Sequence, residues 1–214
     1  VAQCLIFDLD GTIGNTLPLC IRAFKNAIEP LAGRTLSDQE IIATFGPSEE
    51  GTIRALIPEH EEQGVEDYLI HYRKLHPMCE KPFEGMIDII ELAKAKGLRL
   101  AMVTGKGARS TEITLEIFGM REYFEVIETG WVHGPRKVQG IAAVVERLGV
   151  HPAECIYIGD SPSDILNSRE AGVGAVAAAW AETADIEQLR STSPDELFTS
   201  IADFKVYIEA LERT

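Results

Sequence analysis

Apolar residues gather in short unbroken runs at 3–8 (QCLIFD), 98–104 (LRLAMVT), 125–129 (EVIET), 154–159 (ECIYIG) and 173–178 (VGAVAA). Continuous runs, rather than alternating ones, are the pattern of strands covered on both faces. Between the later runs the period lengthens. Residues 86–96 place Met86, Ile89, Ile90 and Ala93 on one face and stop at Gly97, and residues 137–148 do the same with Val138, Ile141, Ala142, Val145 and Leu148 before Gly149. An apolar stripe of helical period ended by glycine predicts an amphipathic helix. Strand, helix and strand in series predict an α/β fold: a doubly wound, Rossmann-like parallel sheet with right-handed crossovers.

One interval lacks this rhythm. From about 17 to 80 only helical stretches appear, at 18–32 (Ile21, Phe24, Ile28 and Leu31 on one face), about 37–45, 48–57 and 61–75. Its borders carry Asn15, Thr16 and Pro18 on one side and HPMCEKPFEG (76–85) on the other, where proline and glycine interrupt helix. The expected organisation is an α/β core of residues 1–16 and 81–214 with an all-helical cap domain, 17–80, inserted in it.

Composition narrows the classes. Hydrophobic residues make up 45% of the 214 and charged ones 25%, ordinary values for a globular chain. No apolar run approaches the roughly 18 residues of a membrane span. The chain opens directly on a strand pattern, so the reading is a cytoplasmic protein without a membrane role. Cys4, Cys20, Cys79 and Cys155 are scattered without a C-x-x-C spacing, which argues against disulfides and zinc. A formal net charge of −14 opposes binding to nucleic acid or an anionic membrane.

Ligands of open α/β sheets bind beyond the carboxyl ends of the strands. There the first run delivers Asp8, Asp10 and Thr12, the second Thr104, Gly105 and Lys106, and the fourth Asp160, Ser161 and Asp164. Several carboxylates in one crevice repel one another unless protonated or bound to a cation. Oxygen donors without histidine or cysteine suit Mg²⁺. Each residue has a plainer explanation too: Asp8 as the start of a turn, Thr104 as a β-branched strand residue, and Asp164 as the third residue of a helix that Ser161 caps and Pro162 opens. Lys137 opens the helix at 137–148, where the dipole disfavours a cation by a few tenths of a kcal/mol. An anion nearby would compensate, and Arg136 is the rival cation.

FDLDGT (7–12), VTGK (103–106), Lys137 and IGDSPSD (158–164), in that order, resemble the four motifs of the haloacid dehalogenase-like superfamily, and more closely its phosphoglycolate-phosphatase-like branch. The resemblance runs from about 3 to 178 and includes PFEG (82–85). It implies Asp8 as the nucleophile that forms an aspartyl-phosphate, and Asp10 as the general acid and base. It implies Thr104 as the hydroxyl binding the transferring phosphoryl, and Lys137 as the cation that holds nucleophile and phosphate together. Mg²⁺ would be bound by Asp8, Asp160 and the backbone carbonyl of Asp10, with Asp164 at or behind the metal site. Gly11, Thr12 and Gly105 would help cradle the phosphate. Asp10, crowded by Asp8 and Asp160 but not a side-chain ligand, is expected to keep a proton near neutral pH.

Two positions depart from the family pattern. Asn15 stands where many members of the branch have an acid, and Val138 follows Lys137 where proline is common. The helical insertion resembles the family's cap, which excludes water and reads the leaving group, with FGPSEEG (45–51) and its Ser48 as the expected specificity loop. A plain turn capped by Ser48 fits that loop equally. Arg54, Tyr72 and Arg73 are further candidate contacts.

The resulting expectation is a Mg²⁺-dependent phosphatase of a small phosphorylated metabolite, phosphoglycolate-like or a sugar phosphate. The alternatives are a phosphomutase resembling β-phosphoglucomutase, against which Thr12 weighs, and a non-catalytic phospho-ligand-binding module. A dehalogenase is disfavoured because those members lack an acid at the position of Asp10.

Overall fold

The computed structural model describes residues 2–211. Six strands form one parallel sheet: β1 (Cys4–Phe7), β2 (Arg99–Val103), β3 (Val126–Glu128), β4 (Cys155–Gly159), β5 (Gly174–Ala178) and β6 (Glu196–Phe198), in the order β3-β2-β1-β4-β5-β6. The chain winds outward from β1 in both directions, so the strand order reverses at β1. β1 is in register with β2 on one side (Phe7 against Met102) and with β4 on the other (Phe7 against Ile158), which brings the carboxyl ends of the three central strands to one rim.

The continuous apolar run of β1 serves two cores. Leu5 and Phe7 face the larger one, where α5 (Met86–Ala95) brings Met86, Ile89, Ile90 and Ala93, and α10 (Ile201–Ala210) brings Phe204 and Ile208. Cys4 and Ile6 face the other, where α7 (Lys137–Leu148) packs Ile141, Val144 and Leu148 against Val103, Val126 and Tyr157. Each valine, leucine, isoleucine, phenylalanine or methionine among them gains about 1.5–3 kcal/mol by full burial. A third cluster joins Ala175 and Ala177 of β5 to Ile165 of α8 (Pro162–Glu170) and Leu189 of α9 (Ile186–Ser191).

Residues 17–79 contribute helices and 3-10 turns and no strand. The helices are α1 (Leu17–Ala32), α2 (Asp38–Ile42), α3 (Glu49–Leu56) and α4 (Glu61–Leu75). α1 and α4 pack through Phe24 and Tyr68, whose ring centroids are 4.4 Å apart. The aromatic row continues through Tyr72 and His76 to Phe118 at the end of α6 (Ala108–Phe118), fastening the helical segment to the sheet-bearing part. The entry to α3 adds a second fastening: Ser48 N–H donates to the Trp131 carbonyl at 2.9 Å.

Candidate active site

The turn after β1 is built so that two acids leave the strand close together. Leu9 carbonyl accepts from Ile13 N–H at 3.0 Å, and Gly11 N–H donates to Gly14 at 2.8 Å. Gly11 has a φ of 75°, and a Cβ there would stand 2.0 Å from Asp160 Oδ2. Only glycine lets the loop pass this carboxylate. The indole N–H of Trp180 holds the turn from behind by donating to the Thr12 carbonyl at 3.0 Å. Gly11→Ala is expected to lower turnover on the order of a hundredfold by displacing the acids, checked by steady-state kinetics beside circular dichroism.

Asp8 is buried at the end of β1. Its Oδ1 accepts from Leu9 N–H at 2.8 Å and its Oδ2 from Lys137 Nζ at 2.8 Å. The same ammonium lies 2.5 Å from Oδ1 of Asp164, which is fully buried. Arg136, the neighbouring cation, turns instead to Glu128, 3.5 Å away. The anion that the position of Lys137 called for is thus a pair of carboxylates delivered by β1 and α8. Asp164 has its helix-capping role as well: Ser161 Oγ and N–H both donate to its Oδ2, at 2.7 and 3.0 Å, in a capping box. Tyr157 spans the floor, with its hydroxyl 2.7 Å from the Val103 carbonyl and 3.3 Å from Asp164 Oδ1. Sequence reasoning did not anticipate this tyrosine, since it sits in an apolar strand run.

One carboxylate oxygen each of Asp8, Asp160 and Asp164 lie within 4.8 Å of one another. A single ammonium does not neutralise them. Burial pushes the Asp8 carboxyl up to about 6; Lys137 draws it down, while Asp164 and Asp10 push it further up. Burial, then the carboxylates of Asp164 and Asp8, drive Asp160 well above the usual range. No hydrogen bond from the described residues reaches the Asp160 carboxylate, whereas both oxygens of Asp164 are engaged. A hard divalent cation fits this donor set, with Asp8 and Asp160 as its carboxylates.

Between about pH 4 and 6 native Asp8 holds a proton that the unfolded chain releases, so stability falls as pH rises through that window, and the deficit is complete above about 6. A cation binds the ionised form and relieves it. Mg²⁺ is therefore expected to raise the melting temperature more at about pH 8 than at about pH 5, and EDTA to reverse the rise. Scanning calorimetry at the two pH values checks this.

Of the other residues singled out in the sequence, Thr104 is buried and its Oγ1 accepts from Lys106 N–H at 3.2 Å. Gly105 lies beside Lys137, whose Cε would be 3.8 Å from an added Cβ. The hydroxyl of Thr12 is buried without a hydrogen-bond partner among the described residues. Asp10, less buried than Asp8, accepts from the Thr16 hydroxyl, and its Oδ1 lies 3.5 Å from Lys106 Nζ. Ser48 is buried at the start of α3, and its side chain makes no capping bond.

The three cap candidates are committed elsewhere. Arg54 pairs with Glu61 and Arg73 with Glu116, each at 2.7 Å on the surface. The Tyr72 hydroxyl is buried against Thr114 Oγ1 at 2.7 Å. What the sequence did not reveal is the pairing of Lys106 with Glu49. Lys106 Nζ lies 3.2 Å from Glu49 Oε1, donates to Cys20 Sγ at 3.1 Å and sits 4.2 Å over the Tyr72 ring. Burial would lower this ammonium's pKa, but Asp10 and its other neighbours outweigh burial and hold it well above the lysine range.

A reversal of strand order with acids, a threonine and a lysine converging on it defines a hydrolase site of the haloacid dehalogenase-like kind. The haloacid dehalogenase-like hydrolase family model matches residues 5–178, and the chain belongs to that family. It is an enzyme, a hydrolase of that family. Among its relatives, pyrophosphatase PpaX of Halalkalibacterium halodurans is 28% identical over 93% of each chain, and that of Bacillus pumilus 28% over 96% of each. In fold it is similar to a haloacid dehalogenase-like family hydrolase from Streptococcus pneumoniae, with a TM-score of 0.78 at 23% identity over 96% of this chain and 98% of that one. CbbY from Rhodobacter sphaeroides, solved in complex with phosphate, superposes with a TM-score of 0.79 at 20% identity over 95% of this chain and 96% of that one. No helix among the described residues is long and apolar enough to cross a membrane.

Proposed function

We propose that the protein is a Mg²⁺-dependent phosphatase that hydrolyses a small phosphate monoester through an aspartyl-phosphate on Asp8. The observation that carries this reading is the setting of Asp8: a buried carboxylate with one oxygen on a backbone N–H, the other on Lys137, and a second acid two residues further on. In the first step an Asp8 oxygen attacks phosphorus, the bond to the leaving oxygen breaks, and Asp10 gives that oxygen a proton. In the second, Asp10 takes a proton from water, the water oxygen attacks phosphorus, and the bond to Asp8 breaks to release phosphate. Lys137 offsets the charge of the nucleophile and the incoming phosphoryl, and Thr104 offers a hydroxyl to it. When bound at Asp8, Asp160 and the Asp10 carbonyl, Mg²⁺ would supply further neutralisation of the phosphoryl oxygens.

The experiment is release of phosphate from p-nitrophenyl phosphate with Mg²⁺, followed by a panel of phosphorylated metabolites. The reading predicts inorganic phosphate in solution and its loss with EDTA. Phosphate recovered on an isomeric sugar would instead mark a mutase, and no turnover of any phosphate ester would contradict both. The relatives named pyrophosphatases add inorganic pyrophosphate to the panel.

A further inference from the structure

Glu49 is the first residue of α3, in the loop expected to read the substrate, and its carboxylate is buried against the sheet-bearing part of the chain. Oε1 accepts from the Ser110 hydroxyl and lies 3.4 Å from the Tyr68 hydroxyl, while Oε2 accepts from the Gly107 N–H. Gly107 and Ser110 open α6, an eleven-residue helix that follows VTGK. With Lys106 they form a pocket of donors suited to an anion. The chain fills it with its own carboxylate.

Lys106 then stands between two acids, 3.5 Å from Asp10 and 3.2 Å from Glu49, with its side chain 1% exposed. Its remaining contacts, Cys20 Sγ and the face of Tyr72, leave no side open for another anion. Asp10 is the group that meets the leaving oxygen, so atoms beyond that oxygen approach the Asp10–Lys106–Glu49 row. With Asp10 holding the proton it gives to the leaving oxygen, the Glu49 carboxylate offsets the Lys106 ammonium and no positive charge in the row is left over. A leaving group with its own carboxylate or phosphate would bring a charge into low dielectric without a free cation to receive it.

We infer that Glu49 is a specificity-determining residue that occupies the anion pocket beside Lys106 and directs the enzyme to phosphate esters of uncharged alcohols, against esters and anhydrides whose leaving group is anionic. The inference rests on the phosphatase reading. It separates this chain from what the name of its pyrophosphatase relatives says of them.

A matched pair tests it: 2-hydroxyethyl phosphate and 2-phosphoglycolate differ by a hydroxymethyl against a carboxylate. Both are measured as competitors of p-nitrophenyl phosphate turnover in wild type and in Glu49→Gln, which keeps the side chain's shape. Melting curves verify that the variant folds, and the wild-type ratio stands without any variant. The expected result is preference for the hydroxyethyl ester by at least about tenfold in wild type, falling about tenfold or more in Glu49→Gln. Equal competition, preference for phosphoglycolate, no competition by either ester, or a ratio unmoved by the substitution would overturn it. Absence of p-nitrophenyl phosphate turnover would instead count against the phosphatase reading itself.

Discussion

Asp8→Asn is expected to reduce turnover by at least about a thousandfold while leaving the fold intact, because it removes the attacking oxygen and changes neither size nor shape. The metal-free variant should also melt higher than wild type at about pH 8. Asp8 titrates at about 6 rather than near 4, so above that pH its charge costs the folded state free energy. The amide carries no such cost. Rates and melting curves on the same preparations separate this account from simple misfolding, in which activity and stability would fall together.

The second large effect belongs to Lys137. Its ammonium is 2.8 Å from Asp8 and 2.5 Å from Asp164, and removing it leaves two buried carboxylates without a counter-charge. Lys137→Ala should cost about 3–5 kcal/mol at neutral pH in the metal-free protein and abolish measurable turnover. Lys137→Met, which keeps most of the stem, should lose nearly as much, showing that charge rather than packing is at stake. The sign with pH is opposite to ordinary acid denaturation. As pH falls the carboxylates take up protons, their repulsion fades, and the variant should recover stability relative to wild type. Urea denaturation at about pH 8 and about pH 5 measures the difference.

The sheet and the site were legible in the sequence to different depths, for physical reasons. β1, β2, β4 and β5 lie inside the sheet and are buried on both faces, so they read as unbroken apolar runs. β6 was not anticipated: it is a three-residue edge strand, ELF, with a charged residue at its start and no fully buried side chain. The bounds of α7 were read correctly, with Gly149 at φ 63° ending it in the left-handed conformation, but its core face is Ile141, Val144 and Leu148, and Ala142 is exposed. The helices of the 17–80 stretch were placed within a few residues by their apolar faces.

Asp8, Asp10, Asp160 and Asp164 could be gathered from sequence because parallel strands deliver their carboxyl ends to one rim. The choice between Lys137 and Arg136 could not, since it turns on which side of the start of α7 faces β1. Nor could Glu49. Within its helix it reads as one acid of an ordinary acidic first turn, and its partner Lys106 is brought to it only when α3 docks against the start of α6.

Whether Asp8 carries the phosphoryl group can be measured directly. The direct measurement uses Asp10→Ala with p-nitrophenyl phosphate and Mg²⁺, a leaving group that needs no proton paired with an enzyme that cannot activate water. A burst of about one nitrophenolate per active site is expected, with a phosphoryl group on Asp8 found by peptide mass mapping after acid quench and removed by hydroxylamine. Wild-type turnover of the same ester, with no burst and no phosphoryl on Asp8 in the variant, would contradict it.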